Sequence, residues 1–384
     1  MRKIILFILI VGCGVPSMAQ ILRDTTFYQN SAQPKFIFDA IIQNGKTIRH
    51  GEFIYYYPDG GVRQKGRYFM DQPDSVWVLL NRSQSLDEVI SFKKGVQHGP
   101  FGIYYPSGQI KQEGIRKNGM LECTIVNYYP DGVVMERTNY RSGQLNGEAV
   151  GFYQNGKKHF VRAYKNGKIY GKNEEYFENG NPRFMGQSIG EKYTGEFKSF
   201  FESGQLMKHF YYTDGKIDGH FQTFHKNGRA YTDCNYVMGE IDGEYNTFHD
   251  NGALMEHSFY KKGVKTGKTL MYYPNGKLYI KGYLKNDKYA KRWKVYHSNG
   301  KLKQNGKYIN GLSEGVWKFY FDNGKMLKTG HYQNDLEEGV WKLYHENGQL
   351  KFTVQYHEGL IEKVLAAFDK DGNELDASKI KLED

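Results

Sequence analysis

The chain has 384 residues and a formal net charge of +11, with 32 Tyr, 24 Phe, 4 Trp and 45 Gly, and its mean hydropathy is -0.70. This composition excludes a polytopic membrane protein, which needs runs of about 20 apolar residues, and a disordered chain, which is poor in aromatic residues. We expect thin, aromatic-rich packing instead of several thick aliphatic cores.

Residues 1–19 are predicted to form a secretory signal peptide. Arg2 and Lys3 precede an apolar stretch, and small residues precede a cleavage site before Gln20. The alternative is lipoprotein processing, in which Cys13 would be lipidated and become the first residue. Either route exports the protein to the periplasm, the outer membrane or the medium, and we expect no transmembrane segment after cleavage.

The basic charge allows two interpretations. Removing Arg2 and Lys3 lowers the formal charge by two, from +11 to +9. The remaining cations either keep a sheet soluble or attract an anionic partner such as an acidic protein, an anionic lipid or a glycan. Because the basic residues look scattered along the chain, we expect no binding of nucleic acid.

A repeat of 24 residues follows the predicted N-terminal cap strands of residues 20–50 and occupies residues 51–359. Its marker is an Asn-Gly, Asp-Gly or Ser-Gly pair, whose glycine is position 0. One register has Gln84 instead and is interpreted as a degenerate repeat, giving about fourteen registers. The turn glycines are Gly60, Gly108, Gly132, Gly156, Gly180, Gly204, Gly228, Gly252, Gly276, Gly300, Gly324 and Gly348.

Each repeat is predicted to be a β-hairpin. Aromatic residues recur at positions -4 and +8, an aliphatic residue recurs at +2, and a second glycine-containing turn closes the unit, leaving two runs of strand length. Proline at position -2, as in Pro58, predicts a three-residue loop built on a type I turn and ending in a left-handed glycine. We expect the side chains at -4, +2 and +8 on one face, with a frequent glycine at +6 covered by a neighbouring ring.

The predicted fold class is all-β: an elongated single antiparallel sheet, twisted, formed by a meander of about fourteen hairpins of 24 residues. The remaining stretch, residues 360–384, is predicted to be a C-terminal cap with a short helix around Glu362 to Phe368.

The repeat unit resembles a known family. The segments GVWKFYFDNGKMLKTGHYQNDLEE from Gly315 and GVWKLYHENGQLKFTVQYHEGLIE from Gly339 resemble the MORN repeat in its variant form, which is found in proteins labelled as toxin-antitoxin system YwqK-family antitoxins. The resemblance implies a repeat array that acts as a scaffold, a dimerisation surface or a lipid-binding module.

We expect no catalytic, cofactor or metal site. The sequence has no HExxH, Gly-x-Ser-x-Gly or phosphate-loop motif. Four histidines share position -3, so strand spacing would separate neighbours by at least about 9.6 Å, too far for one metal ion to bind two of them. They are His225, His249, His297 and His345.

A Trp-Lys pair recurs in three consecutive repeats, and alternation places the two residue types on opposite faces. Either the indoles pack on cross-strand neighbours, or they form a strip that docks a sugar, a peptide or a protein. The candidate binding surface is Trp293, Trp317, Trp341, Lys294, Lys318 and Lys342.

Taken together, the sequence favours an exported, non-enzymatic repeat protein. It would bind a protein partner as a scaffold or as an antitoxin-like or immunity-like module. The alternative is a cell-envelope module that binds anionic lipid or polysaccharide.

Overall fold

The computed structural model of the chain describes residues 20–380, so the predicted signal peptide and Cys13 lie outside the described residues. The chain divides into two compact units, Met1–Glu191 and Lys192–Asp384. The described part of the first unit contains β1 (Leu22–Phe27), β2 (Pro34–Gln43), β3 (Lys46–Tyr56), β4 (Val62–Phe69), β5 (Gln72–Leu80), β6 (Leu86–Lys93), β7 (Val96–Tyr104), β8 (Ile110–Lys117), β9 (Met120–Tyr128), β10 (Val134–Arg141), β11 (Gln144–Phe152), β12 (Lys158–Lys165), β13 (Lys168–Tyr176) and β14 (Pro182–Ile189).

The described part of the second unit is also built from strands and ends in one 3₁₀ turn, Ala377–Lys379. Its strands are β15 (Lys192–Phe200), β16 (Leu206–Thr213), β17 (Lys216–Ile217), β18 (Gly219–Phe224), β19 (Ala230–Val237), β20 (Glu240–Phe248), β21 (Leu254–Lys261), β22 (Val264–Tyr272), β23 (Leu278–Lys285), β24 (Lys288–Tyr296), β25 (Leu302–Ile309), β26 (Leu312–Tyr320), β27 (Met326–Gln333), β28 (Leu336–Tyr344), β29 (Leu350–His357), β30 (Leu360–Phe368) and β31 (Glu374–Leu375).

Within each unit, consecutive strands pair antiparallel. In the first unit the ladder runs from β1 with β2 to β13 with β14. In the second unit the same order holds, and β16 pairs with both the short β17 and β18. The predicted fold class, an all-β antiparallel hairpin meander, is therefore confirmed.

The loop at the Asn-Gly marker has the predicted three-residue geometry. The Gly60 N–H donates to the Tyr57 carbonyl at 3.0 Å, and the Tyr57 N–H donates to the Gly61 carbonyl at 2.7 Å. Gly60 has a φ of 94°, a backbone conformation that glycine adopts without the steric penalty that residues with a Cβ atom have. The degenerate register keeps this loop, because the Gln84 N–H donates to the Asn81 carbonyl at 3.0 Å while Gln84 itself has a φ of 60°.

The opposite end of each hairpin is closed by a tighter turn. At Ser142-Gly143 both residues have positive φ, 49° and 79°, and the flanking Arg141 and Gln144 are directly paired. Two consecutive positive φ values define a type I′ turn, whose twist matches that of the strands it joins. The Gly143 N–H also donates a hydrogen bond of 2.9 Å to the carbonyl of Leu121 in the preceding repeat.

Side chains at the three-residue loops tie neighbouring repeats together. The Asn299 Oδ1 accepts a hydrogen bond from the Lys301 N–H at 2.9 Å, and the Asn299 Nδ2 donates to the Asp322 carbonyl, in the next repeat, at 2.7 Å. The Lys301 ammonium reaches the Asn323 carbonyl, also in the next repeat, at 2.8 Å. A loop with asparagine at this position is thus held by that side chain and by the loop beside it.

Positions -7 and +6 form the most buried row of side chains, which we call the indole seam. At position -7 the residues Trp77, Ile125, Ala149, Asn173, Thr269, Trp293, Trp317 and Trp341 are all buried. The residue at +6 is often a glycine, and the tryptophan at -7 in the next strand packs over it. A Cβ built on Gly306 would lie 2.0 Å from the Trp317 ring, and one on Gly330 would lie 2.0 Å from the Trp341 ring. The indole therefore fills the space that a side chain would occupy, as predicted for the glycine at +6.

The expectation that positions -4 and +8 share one face was wrong. Tyr332, at +8, packs edge-on against Trp341 at 5.0 Å, on the face of the indole seam. Tyr128, at -4, instead donates a hydrogen bond of 2.6 Å to the carboxylate of Glu113. Glu113 directly precedes Gly114 of the seam, so the side chains of Glu113 and Tyr128 lie on the opposite face. A register shift explains the difference, because one extra residue is inserted near position +3 in each hairpin, as between Phe319 and Tyr320.

The helix predicted around Glu362 to Phe368 was also wrong. This segment lies in β30, which pairs with β29, and Ala367 within it is completely buried. The hairpin loop also recurs after it, since the Gly372 N–H donates to the Asp369 carbonyl at 3.1 Å. Pairing with the preceding repeat thus overrides the local helix preference of a Leu- and Ala-rich segment.

Replacing Gly306 by Ala tests the packing of the seam. The new methyl group would overlap the Trp317 ring, so we expect the free energy of unfolding to fall by about 1–3 kcal/mol. Urea unfolding followed by Trp fluorescence measures the loss. The control measures the same Gly306→Ala change in the background of Trp317→Val, by comparing the double variant with Trp317→Val alone. In that background the methyl group has room, so its cost in stability should be smaller than beside the indole. Equal costs in the two backgrounds would contradict the packing.

Candidate binding surface

The three tryptophans of the predicted surface are covered by their neighbours. Trp293, Trp317 and Trp341 are 7%, 3% and 1% exposed. Trp341 Nε1 donates to the His331 carbonyl at 3.2 Å, and Tyr308 packs edge-on against Trp317 at 5.1 Å. The indoles thus pack on cross-strand neighbours, and the accessible members of the predicted surface are its lysines.

The lysines lie on the other face of the sheet, as alternation requires. Lys318 and Lys342 are exposed and Lys294 is half-buried. Lys294 and Lys318 are both paired with Asn305 in the strand between them. Their row therefore crosses the strands with about 9.6 Å between successive repeats.

The cations are clustered, which corrects the expectation that they are scattered. Residues 261–310 contain fourteen Lys and Arg residues and a single acidic residue, Asp287. Among them Lys281, Arg292 and Lys307 lie on the same face as Lys294, because Lys281 is paired with Lys294 and Arg292 with Lys307. We call Lys281, Arg292, Lys294, Lys307, Lys318 and Lys342 the cationic face. A count of charge in successive windows of sequence would have found this cluster, whereas the total charge of the chain conceals it.

The histidines at position -3 are structural hydrogen-bond donors. The Nε2 atom of each lies 2.9–3.0 Å from the backbone carbonyl oxygen of the residue 23 positions further on. Since a carbonyl only accepts, Nε2 must carry the proton. Tyr273 does the same with its hydroxyl group, 2.8 Å from the Tyr296 carbonyl. The four residues are His225, His249, His297 and His345. Among residues 20–380, no group of three or more His, Cys, Asp or Glu side chains is placed to hold a metal ion.

Titratable groups on the face of the indole seam are held in their neutral forms. Burial, followed by a hydrogen bond to Glu337, raises the pKa of the Tyr332 hydroxyl. Burial also raises the pKa of Tyr260 to about 12 and that of the Cys234 thiol to about 11. At neutral pH these groups serve as packing and hydrogen-bonding elements.

Comparison with protein families finds a match to the repeat. The model described as "MORN repeat variant" matches residues 49–69, 97–118, 193–214, 241–262, 265–286, 291–310, 313–334 and 337–358. Eight segments of the chain thus match this repeat type. No curated protein matches the chain.

Solved structures give only weak similarities. "Crystal Structure of TcdB2-TccC3-Cdc42" is 10% identical and matches 93% of this chain and 23% of its own, with a TM-score of 0.16. "Structure of Photorhabdus luminescens Tc holotoxin pore, Mutation TccC3-D651A" has the same identity and coverage and a TM-score of 0.17. The chain therefore spans about a quarter of the length of these proteins.

The search for membrane-spanning helices gave a negative result for the described residues: no helix there has the length and apolar character to cross a bilayer.

The role of the position -3 histidines can be tested at His297. His297→Phe removes the donor to the Tyr320 carbonyl, so we expect a loss of about 0.5–1.5 kcal/mol in the free energy of unfolding. His297→Tyr should keep most of the stability, because tyrosine makes this contact at the same position in other repeats. Urea unfolding with and without Zn²⁺ distinguishes the roles, since a zinc-dependent stabilisation of the native protein that is absent in His297→Phe would indicate a metal ligand.

Proposed function

We propose that the protein is an exported, non-enzymatic scaffold that binds a protein partner on the cationic face, on the side of the sheet opposite the indole seam. The observation that carries the proposal is the division of roles between the two faces. The seam face is covered by its own indoles and tyrosines, whereas the opposite face presents exposed cations such as Lys318 and Lys342. A binding surface can therefore vary on one face without removing the packing on the other.

The polar groups of the repeat support the non-enzymatic part of the proposal. Asparagines at the loops and histidines at position -3 are used in contacts between repeats, as in Asn299 with Asp322 and His297 with Tyr320. Catalytic groups, in contrast, are usually brought together in a cleft where their pKa values are matched to proton transfer. The repeated use of the same side chain for the same contact is typical of a scaffold.

Site-specific cross-linking tests this function. A photoreactive amino acid replaces Lys318 on the cationic face in one version of the mature protein, and replaces the exposed Lys168 of the first unit in the matched control. Each protein is illuminated in the envelope fraction of its own cells. We expect one cross-linked protein partner from position 318 and none from position 168. If neither position 318 nor any other position of the cationic face yields a protein adduct, the protein is not such a scaffold.

A further inference from the structure

The cationic face contains two pairs of like charges that are placed directly opposite each other. Lys281 is paired with Lys294 across β23 and β24, and Arg292 is paired with Lys307 across β24 and β25. Side chains in such positions start only about 5 Å apart at their Cβ atoms, and like charges there destabilise a sheet. The folding of the hairpins does not explain four cations at these positions.

The carboxylates nearest in sequence to the two like-charge pairs, Asp287 and Glu314, form no ion pair with a cation of this face. Asp287 accepts a hydrogen bond from the Lys265 N–H at 2.9 Å. Glu314, which is paired with Lys307 in the ladder, accepts one from the Asn334 N–H at 3.0 Å. The ion pairs in residues 192–380 involve other side chains. The positive potential of the cationic face is therefore available to a partner.

Exposed aliphatic side chains accompany the charges. Val316 and Val340 are 60% and 48% exposed, and each precedes by two residues a cation of this face, Lys318 or Lys342, so it points to the same side. Val316 and Val340 occupy the same position in their repeats, eight residues before the turn glycine, that Arg292 occupies in the preceding repeat. Polysaccharides and nucleic-acid backbones offer anions but few aliphatic groups, whereas a polypeptide can offer carboxylates and aliphatic side chains together.

We propose that the cationic face, together with Val316 and Val340, binds an acidic polypeptide segment in which carboxylate side chains are interspersed with aliphatic ones. This inference rests on the proposed function, since it specifies the chemistry of the protein partner. The carboxylates lie against the two like-charge pairs and relieve their repulsion, and the aliphatic side chains cover the two valines.

The binding test uses the mature full chain and a fluorescently labelled peptide of alternating Glu and Val, with fluorescence anisotropy as the readout. The double variant Lys281→Glu/Arg292→Glu turns both like-charge pairs into opposite-charge pairs. We expect it to bind the peptide at least about tenfold more weakly than the native protein, while its thermal midpoint stays equal or rises. The matched control Lys158→Glu/Lys168→Glu makes the same change of charge in the first unit and should bind like the native protein.

A second pair of variants tests the aliphatic part. Val316→Ser/Val340→Ser should weaken binding of the Glu-Val peptide and leave binding of a Glu-Ser peptide unchanged. If the charge-reversal variant unfolds, Lys281→Gln/Arg292→Gln replaces it, with the same expected direction.

Three results would overturn the inference: peptide binding that the charge reversal does not weaken, an equal loss in the control, or binding to vesicles of equal parts phosphatidylserine and phosphatidylcholine or to polygalacturonate without binding to the peptide. The cross-linking experiment separates this failure from that of the proposed function. A protein adduct at position 318 that persists in the charge-reversal variant would retain the scaffold and reject the acidic partner.

Discussion

In four of the repeats, an indole ring lying on a bare glycine is the contact that gives a single layer of strands its most buried side chains. A sheet without a second layer leaves both faces open to water, and its side chains can be buried only by their neighbours on the same face. Gly306 leaves a gap that Trp317 fills, and Tyr308 and Tyr332 close the ring from the sides at 5.1 and 5.8 Å. A large ring thus buries apolar area without a second layer.

This packing explains why the repeat must be exact in length. The groups that a repeat contacts are copies of its own groups, displaced by one period: His297 reaches the Tyr320 carbonyl, and Asn299 reaches the Asp322 carbonyl, each 23 residues ahead. An insertion in one strand would misalign the seam, the loop asparagines and the histidine contacts together. Stability is therefore local and cooperative between neighbours, as in other repeat proteins.

Much of this architecture could be predicted from the sequence, because turn chemistry and period are local signals. The proline at -2 and the glycine at 0 identified the three-residue loop, and even the degenerate register at Gln84 keeps it. The face of the -4 aromatics could not be predicted by simple alternation, since the register shift near +3 has no distinctive residue: Leu327, Lys303 and Tyr279 all occupy it. The β30 strand was missed because its own preference is helical and only pairing with β29 makes it extended.

The candidate site was predicted only in part. Alternation correctly placed Trp317 and Lys318 on opposite faces. Burial of the indole, however, depends on Gly306 in the neighbouring strand, and the residues at position -7 alone do not reveal this contact. The cluster of cations was visible in the sequence, yet its meaning depends on register, because only the pairing places Lys281 opposite Lys294. Strands β23 and β24 thus carry the contact of Trp293 with Gly282 on one side and the like-charge pair on the other.

The most direct test of this division of faces is amide hydrogen exchange in β25–β27, compared between Trp317→Ala and Lys318→Glu. These neighbouring residues point to opposite faces, so local opening should become markedly faster when the indole is removed and stay near the native rate when the lysine is reversed. Equal acceleration by both variants, or none by Trp317→Ala, would contradict the account.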